Sequence, residues 1–199
     1  VHADSAGLAR RLRRRPEAIV LSYDGHSDRT VSLLSEVQVP VIELWERPSE
    51  PIGHTIGFSN QAAASVMTKA LQGLGYRNIA FLCEAGDDWT RGAARRAGFK
   101  EAMASAGQSA ERNMQVGNPP MSIEAGAAAL PGLLTSFPDT DCIFCVSDAA
   151  AFGVQSALKS RGYSVPGDMG VAGFGNFEVS RFASPAISTV VVAPKRIGR

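Results

Sequence analysis

A single arginine heads an apolar stripe in the segment TRGAARRAGFKEAM, and its surroundings are the first hint of chemistry in the chain. Positions 95, 98, 99, 102 and 103 share one face of a helix, and they carry Arg95, Gly98, Phe99, Ala102 and Met103. A guanidinium beside a core needs a partner, and its planar fork suits paired hydroxyls or a carboxylate. The spacing alone leaves two roles level: a ligand clamp, or an arginine that snorkels past the core or pairs with a structural acid. Arg96 and Lys100 fall on a different face and read as solvated.

Trp45 and Trp89, the only tryptophans, stand where an extended run or a loop ends. Flat aromatic faces stack on the C–H faces of sugars, and packing beneath a loop competes as the role of each. Ser147 and Asp148 follow a strand pattern and precede a helical one, where a side-chain oxygen caps backbone N–H groups. Capping is the favoured role for at least one of them. The segment GFGNFE (173–178) lacks the third glycine of a dinucleotide fingerprint, which disfavours a nicotinamide enzyme.

Metal and redox chemistry are also disfavoured. Cys142 and Cys145 sit in DCIFCVSD, which reads as a strand, so their side chains point to opposite faces. The three cysteines form no disulfide framework, and His2, His26 and His54 are scattered, so neither a zinc site nor a Ser-His-Asp triad suggests itself. No cofactor, metal or catalytic residue is expected, and an enzyme is the disfavoured class. The arginine run ARRLRRRP (9–16) lacks aromatic interleaving and reads as a solvated helix end.

Composition sets the outer limits. The 199 residues are 45% hydrophobic, enough to bury a substantial core as one large domain or two small lobes. Twenty Lys+Arg against nineteen Asp+Glu leave a net charge of +1, which argues against a broad nucleic-acid surface in this segment; any DNA contact comes from elsewhere. No apolar run is long enough to span a bilayer, and Val1 to Arg15 has no signal-peptide pattern. The segment reads as cytoplasmic, without a membrane partner.

The elements that must position these residues alternate. Apolar, β-rich runs at 18–23, 39–44, 54–58, 79–83, 142–146 and 169–174 are separated by helical patterns. That order predicts an α/β fold with crossover connections and parallel sheets. Ala63, Val66, Met67, Ala70, Leu71 and Leu74 recur at helical spacing after Ser59-Asn60, with Gly75 as the stop. Further helices are predicted over 91–106, 122–136 and 149–161, with Gly162 beyond the last. Ligands of such sheets bind outside the carboxyl ends of the strands, which turns attention to Ser22-Tyr23-Asp24, Trp45-Glu46, Phe58-Ser59-Asn60, Glu84, Ser147-Asp148 and Gly175-Asn176.

Read in order, VPVIEL, GFSNQAAASVMTKALQGLGYRNIAFLC, RRAGFKEAMASAG, FPDTDCIFCVSDAAAFGVQSALKSRGYSVPGDMGVAGFGN and SPAISTVVVAP closely resemble the effector-binding domain of the lactose/galactose-repressor (LacI/GalR) family of bacterial transcription regulators. The resemblance covers nearly the whole chain. It implies two doubly wound parallel-sheet lobes of periplasmic-binding-protein type I, joined by three crossovers, which close on a small ligand between them. The first lobe would comprise residues 1–58 plus 188–199 and the second 59–187, with a DNA-binding helix-turn-helix upstream. It also implies a homodimer, operator DNA as a partner of that upstream domain, and a small-molecule sugar or sugar-acid effector. A periplasmic sugar-binding subunit of a transporter shares the fold and is the alternative.

Carried over residue by residue, the R-x-x-G-F arginine that holds ligand hydroxyls matches Arg95. Phe144 matches an aromatic that lines the cleft, Ser22 and Trp45 match first-lobe contacts at strand ends, and Phe58 lies at the next crossover. With Tyr23, Trp89, Ser147 and Asn176, these complete the expected ligand contacts. The departures matter too. Ser147 replaces the Asn of N-D, Gly175-Asn176 replaces the ligand-gripping Asp of G-F-D, and Trp45 replaces a frequent aspartate. Fewer acids favour an anionic ligand, because a carboxylate facing a carboxylate costs binding energy. GFSN and GFGNFE also look like the gluconate-responsive branch, so an aldonate such as gluconate is the leading ligand.

Overall fold

Runs such as Ile79–Cys83 and Cys142–Cys145, apolar with no polar alternation, are buried along their whole length, as expected when helices cover both faces of a parallel sheet. The computed structural model describes residues 5–22, 26–48, 50–86 and 90–197. It divides into two compact units. Among the described residues the smaller takes 5–60, Thr90-Arg91 and 193–197, and the larger takes 61–86 and 92–192.

In the smaller unit α1 (Ser5–Leu12), β1 (Ile19–Ser22), α2 (Asp28–Ser35), β2 (Val41–Leu44) and β3 (His54–Ile56) build a three-stranded parallel sheet in the order β1-β2-β3. Helix α2 was not anticipated; Ser27 caps it by accepting the Thr30 N–H at 3.3 Å. Arg10, Arg13, Arg14 and Arg15 are exposed at the end of α1 and in the turn beyond it, as the arginine run suggested.

The larger unit runs α3 (Asn60–Gly73), β4 (Ile79–Cys83), α4 (Arg91–Ser105), β5 (Asn113–Gln115), α5 (Ile123–Ser136), β6 (Cys142–Cys145), α6 (Asp148–Ser160), β7 (Gly170–Gly175), α7 (Glu178–Phe182) and β8 (Ser188–Val191). A short α8 (Pro194–Ile197) follows. The sheet order is β5-β4-β6-β7-β8 and every pairing is parallel. Strand order therefore reverses between β4 and β6, the place where doubly wound sheets open a ligand crevice. The core centres on Phe81, which stacks on Phe99 at 5.3 Å and meets Phe144 edge-on at 5.1 Å.

Three expectations need correction. Residues 188–191 were assigned to the first lobe, yet they form β8, whose ladder with Ala172–Gly175 makes them the edge strand of the larger unit's sheet. The apolar face expected on α3 is turned: Val66 and Leu74 are exposed, and Ala64, Ser65, Thr68 and Leu71 are buried. The reason is close helix packing, since a Cβ on Gly98 of α4 would come within 1.9 Å of the Gln61 carbonyl oxygen, so small residues rather than large ones face that contact. Phe144, expected to line a cleft, is fully enclosed in the core against Phe81.

The thiols behave as core side chains. Cys83, Cys142 and Cys145 are buried and free. Burial pushes the Cys83 thiol up to about 12 and raises the other two as well, so all three stay protonated at neutral pH.

Helices α5 and α6 cross at paired glycines. A Cβ on Gly153 would lie 1.9 Å from the Ile123 carbonyl oxygen, and one on Gly126 would lie 2.4 Å from that of Ala150. Gly153→Ala is expected to destabilise by about 1–3 kcal/mol through overpacking. Gly73→Ala, where a Cβ meets nothing within 4 Å, should instead gain up to about 1 kcal/mol from helix propensity. Urea midpoints of the two variants check the contrast; equal values would refute the packing account.

Candidate functional site

Arg95 stands at the switch point of the larger sheet. It projects from the first half of α4, after β4, and its Nη1 donates to the carbonyl oxygen of Val146, just past the end of β6, at 2.8 Å. Its guanidinium carbon lies 3.8 Å from the centre of the Phe174 ring on β7, a cation–π contact. The stripe behind it is as expected: Gly98, Phe99, Ala102 and Met103 are buried, and Arg95 itself is half-buried. Glu84, at the end of β4, reaches the start of the same helix, where a Cβ on Gly92 would meet its Oε1 at 2.6 Å. A carboxylate there is favourable beside the positive end of the helix dipole.

The neighbouring strand ends are tied together by one buried carboxylate. Ser147 caps α6 by accepting the Ala150 N–H at 3.3 Å. Asp148, fully buried, accepts the Phe177 N–H at 2.6 Å on Oδ2 and the Thr189 hydroxyl at 2.5 Å on Oδ1. The same Thr189 oxygen accepts the Asn176 N–H at 3.2 Å. Asn176 adopts a left-handed backbone with φ 56, directly after Gly175 at φ 129. The Asp148 carboxylate also explains the first glycine of GFG, because a Cβ on Gly173 would lie 2.4 Å from its Oδ1; the second, Gly175, is set by its positive φ and by the Phe177 ring, 2.5 Å from where a Cβ would stand.

In the smaller unit, Ser22 is exposed at the end of β1, and Trp45 and Phe58 are half-buried after β2 and β3. Trp45 has a left-handed backbone, φ 75. Beside it Glu46, only 8% exposed, accepts from Asn60 Nδ2 at 2.7 Å, from the Asn60 N–H at 3.3 Å and from the Arg47 N–H at 3.0 Å. Tyr23 and Trp89 lie outside the described residues.

Of the expected contacts, the larger unit thus gathers Arg95, Ser147 and Asn176 at the carboxyl ends of adjacent strands, and the smaller carries Ser22, Trp45 and Phe58 at the ends of its own. Phe144 is not among them. Sequence reasoning missed Asp148 and Glu46 as the organisers of these ends. Their signal was weak: each partner is far away along the chain, Thr189 forty-one positions from Asp148 and Asn60 fourteen from Glu46.

Residues 68–199 match the periplasmic binding protein-like domain family. The chain is 28% identical over 182 residues to the HTH-type transcriptional regulator GntR of Escherichia coli strain K12, covering 92% of this chain and 54% of that protein. It is 31% identical over 185 residues to the HTH-type transcriptional regulator IdnR of the same strain, again covering 92% and 54%. The chain spans about half the length of these curated relatives. Among solved structures, a LacI family transcriptional regulator from Silicibacter pomeroyi superposes with a TM-score of 0.96 at 59% identity, over 98% of this chain and 73% of that one. With strands that are parallel throughout, helices alternating between them and these matches together, the chain belongs to the LacI family of transcriptional regulators and carries its periplasmic-binding-protein-like domain.

Proposed function

We propose that this domain is the effector-binding part of a bacterial transcriptional regulator, that its effector is a small sugar or sugar acid with gluconate favoured, and that it binds this effector without turning it over. The observation that carries the reading is Arg95, a guanidinium anchored to Val146 and Phe174 at the reversal point of the larger sheet. A fork held in that place suits vicinal hydroxyls or a carboxylate. The strand-end acids support an anionic ligand, because Glu46 and Asp148 turn inward to bind backbone N–H and side-chain donors of the protein itself.

Ser147 and Asn176 on the larger unit, and Ser22, Trp45 and Phe58 on the smaller, are assigned as further contacts, with Tyr23 and Trp89 added from the sequence. Regulator relatives such as GntR and IdnR favour this function over a transporter's sugar-binding subunit. In the full regulator a helix-turn-helix part reads operator DNA, the protein works as a homodimer in the cytoplasm, and effector binding shifts operator affinity. Among the described residues no helix is long and apolar enough to cross a membrane.

Calorimetric titration with gluconate, glucose and ribose tests the ligand. Gluconate should bind best, and Arg95→Ala should weaken it by roughly 10–100-fold, as expected for losing hydrogen bonds to a charged group, while melting stays cooperative. Equal binding of glucose and gluconate would refute the acid preference. The regulatory claim is tested separately by titrating the operator with the intact regulator. Gluconate should change operator affinity by about 5–150-fold, the usual range of allosteric coupling, and an unchanged affinity with effector bound would remove the allosteric role.

A further inference from the structure

Among the described residues three non-glycines have a left-handed backbone: Arg15, Trp45 and Asn176. Arg15 is an exposed turn residue beyond α1, and asparagine visits this region at little cost. Trp45 is different. With φ 75 its Cβ crowds the backbone, and for a bulky side chain that conformation is a true outlier which persists only when the surroundings hold it.

The hold acts on both sides of the residue. The Trp45 N–H donates to the Ile56 carbonyl at 3.1 Å, and the Trp45 carbonyl accepts from Asn60 Nδ2 at 3.0 Å. That same amide nitrogen donates to Glu46 Oε2 at 2.7 Å, and the Asn60 N–H donates to Glu46 Oε1 at 3.3 Å. Asn60 is fully buried. Gly57 lets the chain pass against the back of the clamp, since a Cβ there would lie 2.6 Å from both the N and O of Glu46.

Glycine at position 45 would satisfy the same backbone without strain. The chain instead places an indole there and ties its backbone to a buried amide that a buried carboxylate holds. We propose that Glu46 and Asn60 are positioning residues: they hold Trp45 left-handed so that its ring is fixed, before binding, in the orientation that meets the C–H face of the effector's carbon chain. This rests on the assignment of Trp45 as a ligand contact made above.

Two measurements on the intact protein test it. In a Trp89→Phe background Trp45 is the only tryptophan, and its emission without ligand should move to longer wavelength in Asn60→Ala and in the nearly isosteric Glu46→Gln, with cooperative melting retained. If Asn60→Ala fails to fold, Glu46→Gln carries the test. In the otherwise wild-type protein each substitution should weaken gluconate binding roughly tenfold, and neither should weaken it further in a Trp45→Ala background, because residues acting through one another are non-additive. Unchanged Trp45 emission, or losses of the same size with and without the indole, would overturn the positioning role. If the wild-type protein ignores gluconate, the ligand assignment fails instead, and the emission of Trp45 alone decides the clamp.

Discussion

The carboxyl-terminal edge of the larger unit's sheet depends on one buried carboxylate. Asp148 has no exposed surface, and an ionised carboxylate so placed is tolerated only if donors surround it. The donors come from two separate pieces of chain, the Phe177 N–H after β7 and the Thr189 hydroxyl on β8. Satisfying one carboxylate therefore ties the ends of β6 and β7 to β8. It also leaves no room for side chains at Gly173, and the left-handed corner at Gly175-Asn176 follows from the need to aim the next N–H groups inward. Gly173 is thus the imprint of an aspartate at the start of α6.

Arg95 is complementary to that arrangement. Half-burial of its side chain, with the head over Phe174, removes part of its hydration. The loss is offset by the Val146 carbonyl and the ring face. Because Asp148 is already occupied by donors of its own, it does not draw the guanidinium away from the strand ends.

Much of this architecture was legible in the sequence because parallel strands covered on both faces are continuous apolar runs. Ile79–Cys83 and Cys142–Cys145 could hardly be anything else. The short edge strand Asn113–Gln115 escaped because it has three residues, two of them polar, and only one neighbour pairs with it. Helix α3 was legible as a helix but not in its orientation: hydrophobic spacing pointed to Val66 and Leu74, whereas the approach of Gly98 to the Gln61 carbonyl required the small-residue side to face inward. Phe144 was misplaced for a related reason, since family likeness gives a residue's position on a strand but not whether neighbouring rings enclose it. Arg95 was legible as the head of an apolar stripe. Glu46 was not, because nothing local distinguishes a carboxylate that will bind Asn60 from one that will face solvent.

The two units solve the same problem by the same physical means. Each places a left-handed residue just beyond a strand's carboxyl end, Trp45 after β2 and Asn176 after β7, and each ties that corner to a buried carboxylate. Such corners are ordered before any ligand arrives, so binding there does not have to bear the full entropy of immobilising a side chain. For the effector domain proposed above this would matter more than affinity. An effector shifts a conformational equilibrium only by the difference between its binding energies in the two states, and contacts that cost little to order leave more of the interaction energy available for that difference. Strand ends held by the protein's own inward-turned acids are what the effector role proposed above would draw on.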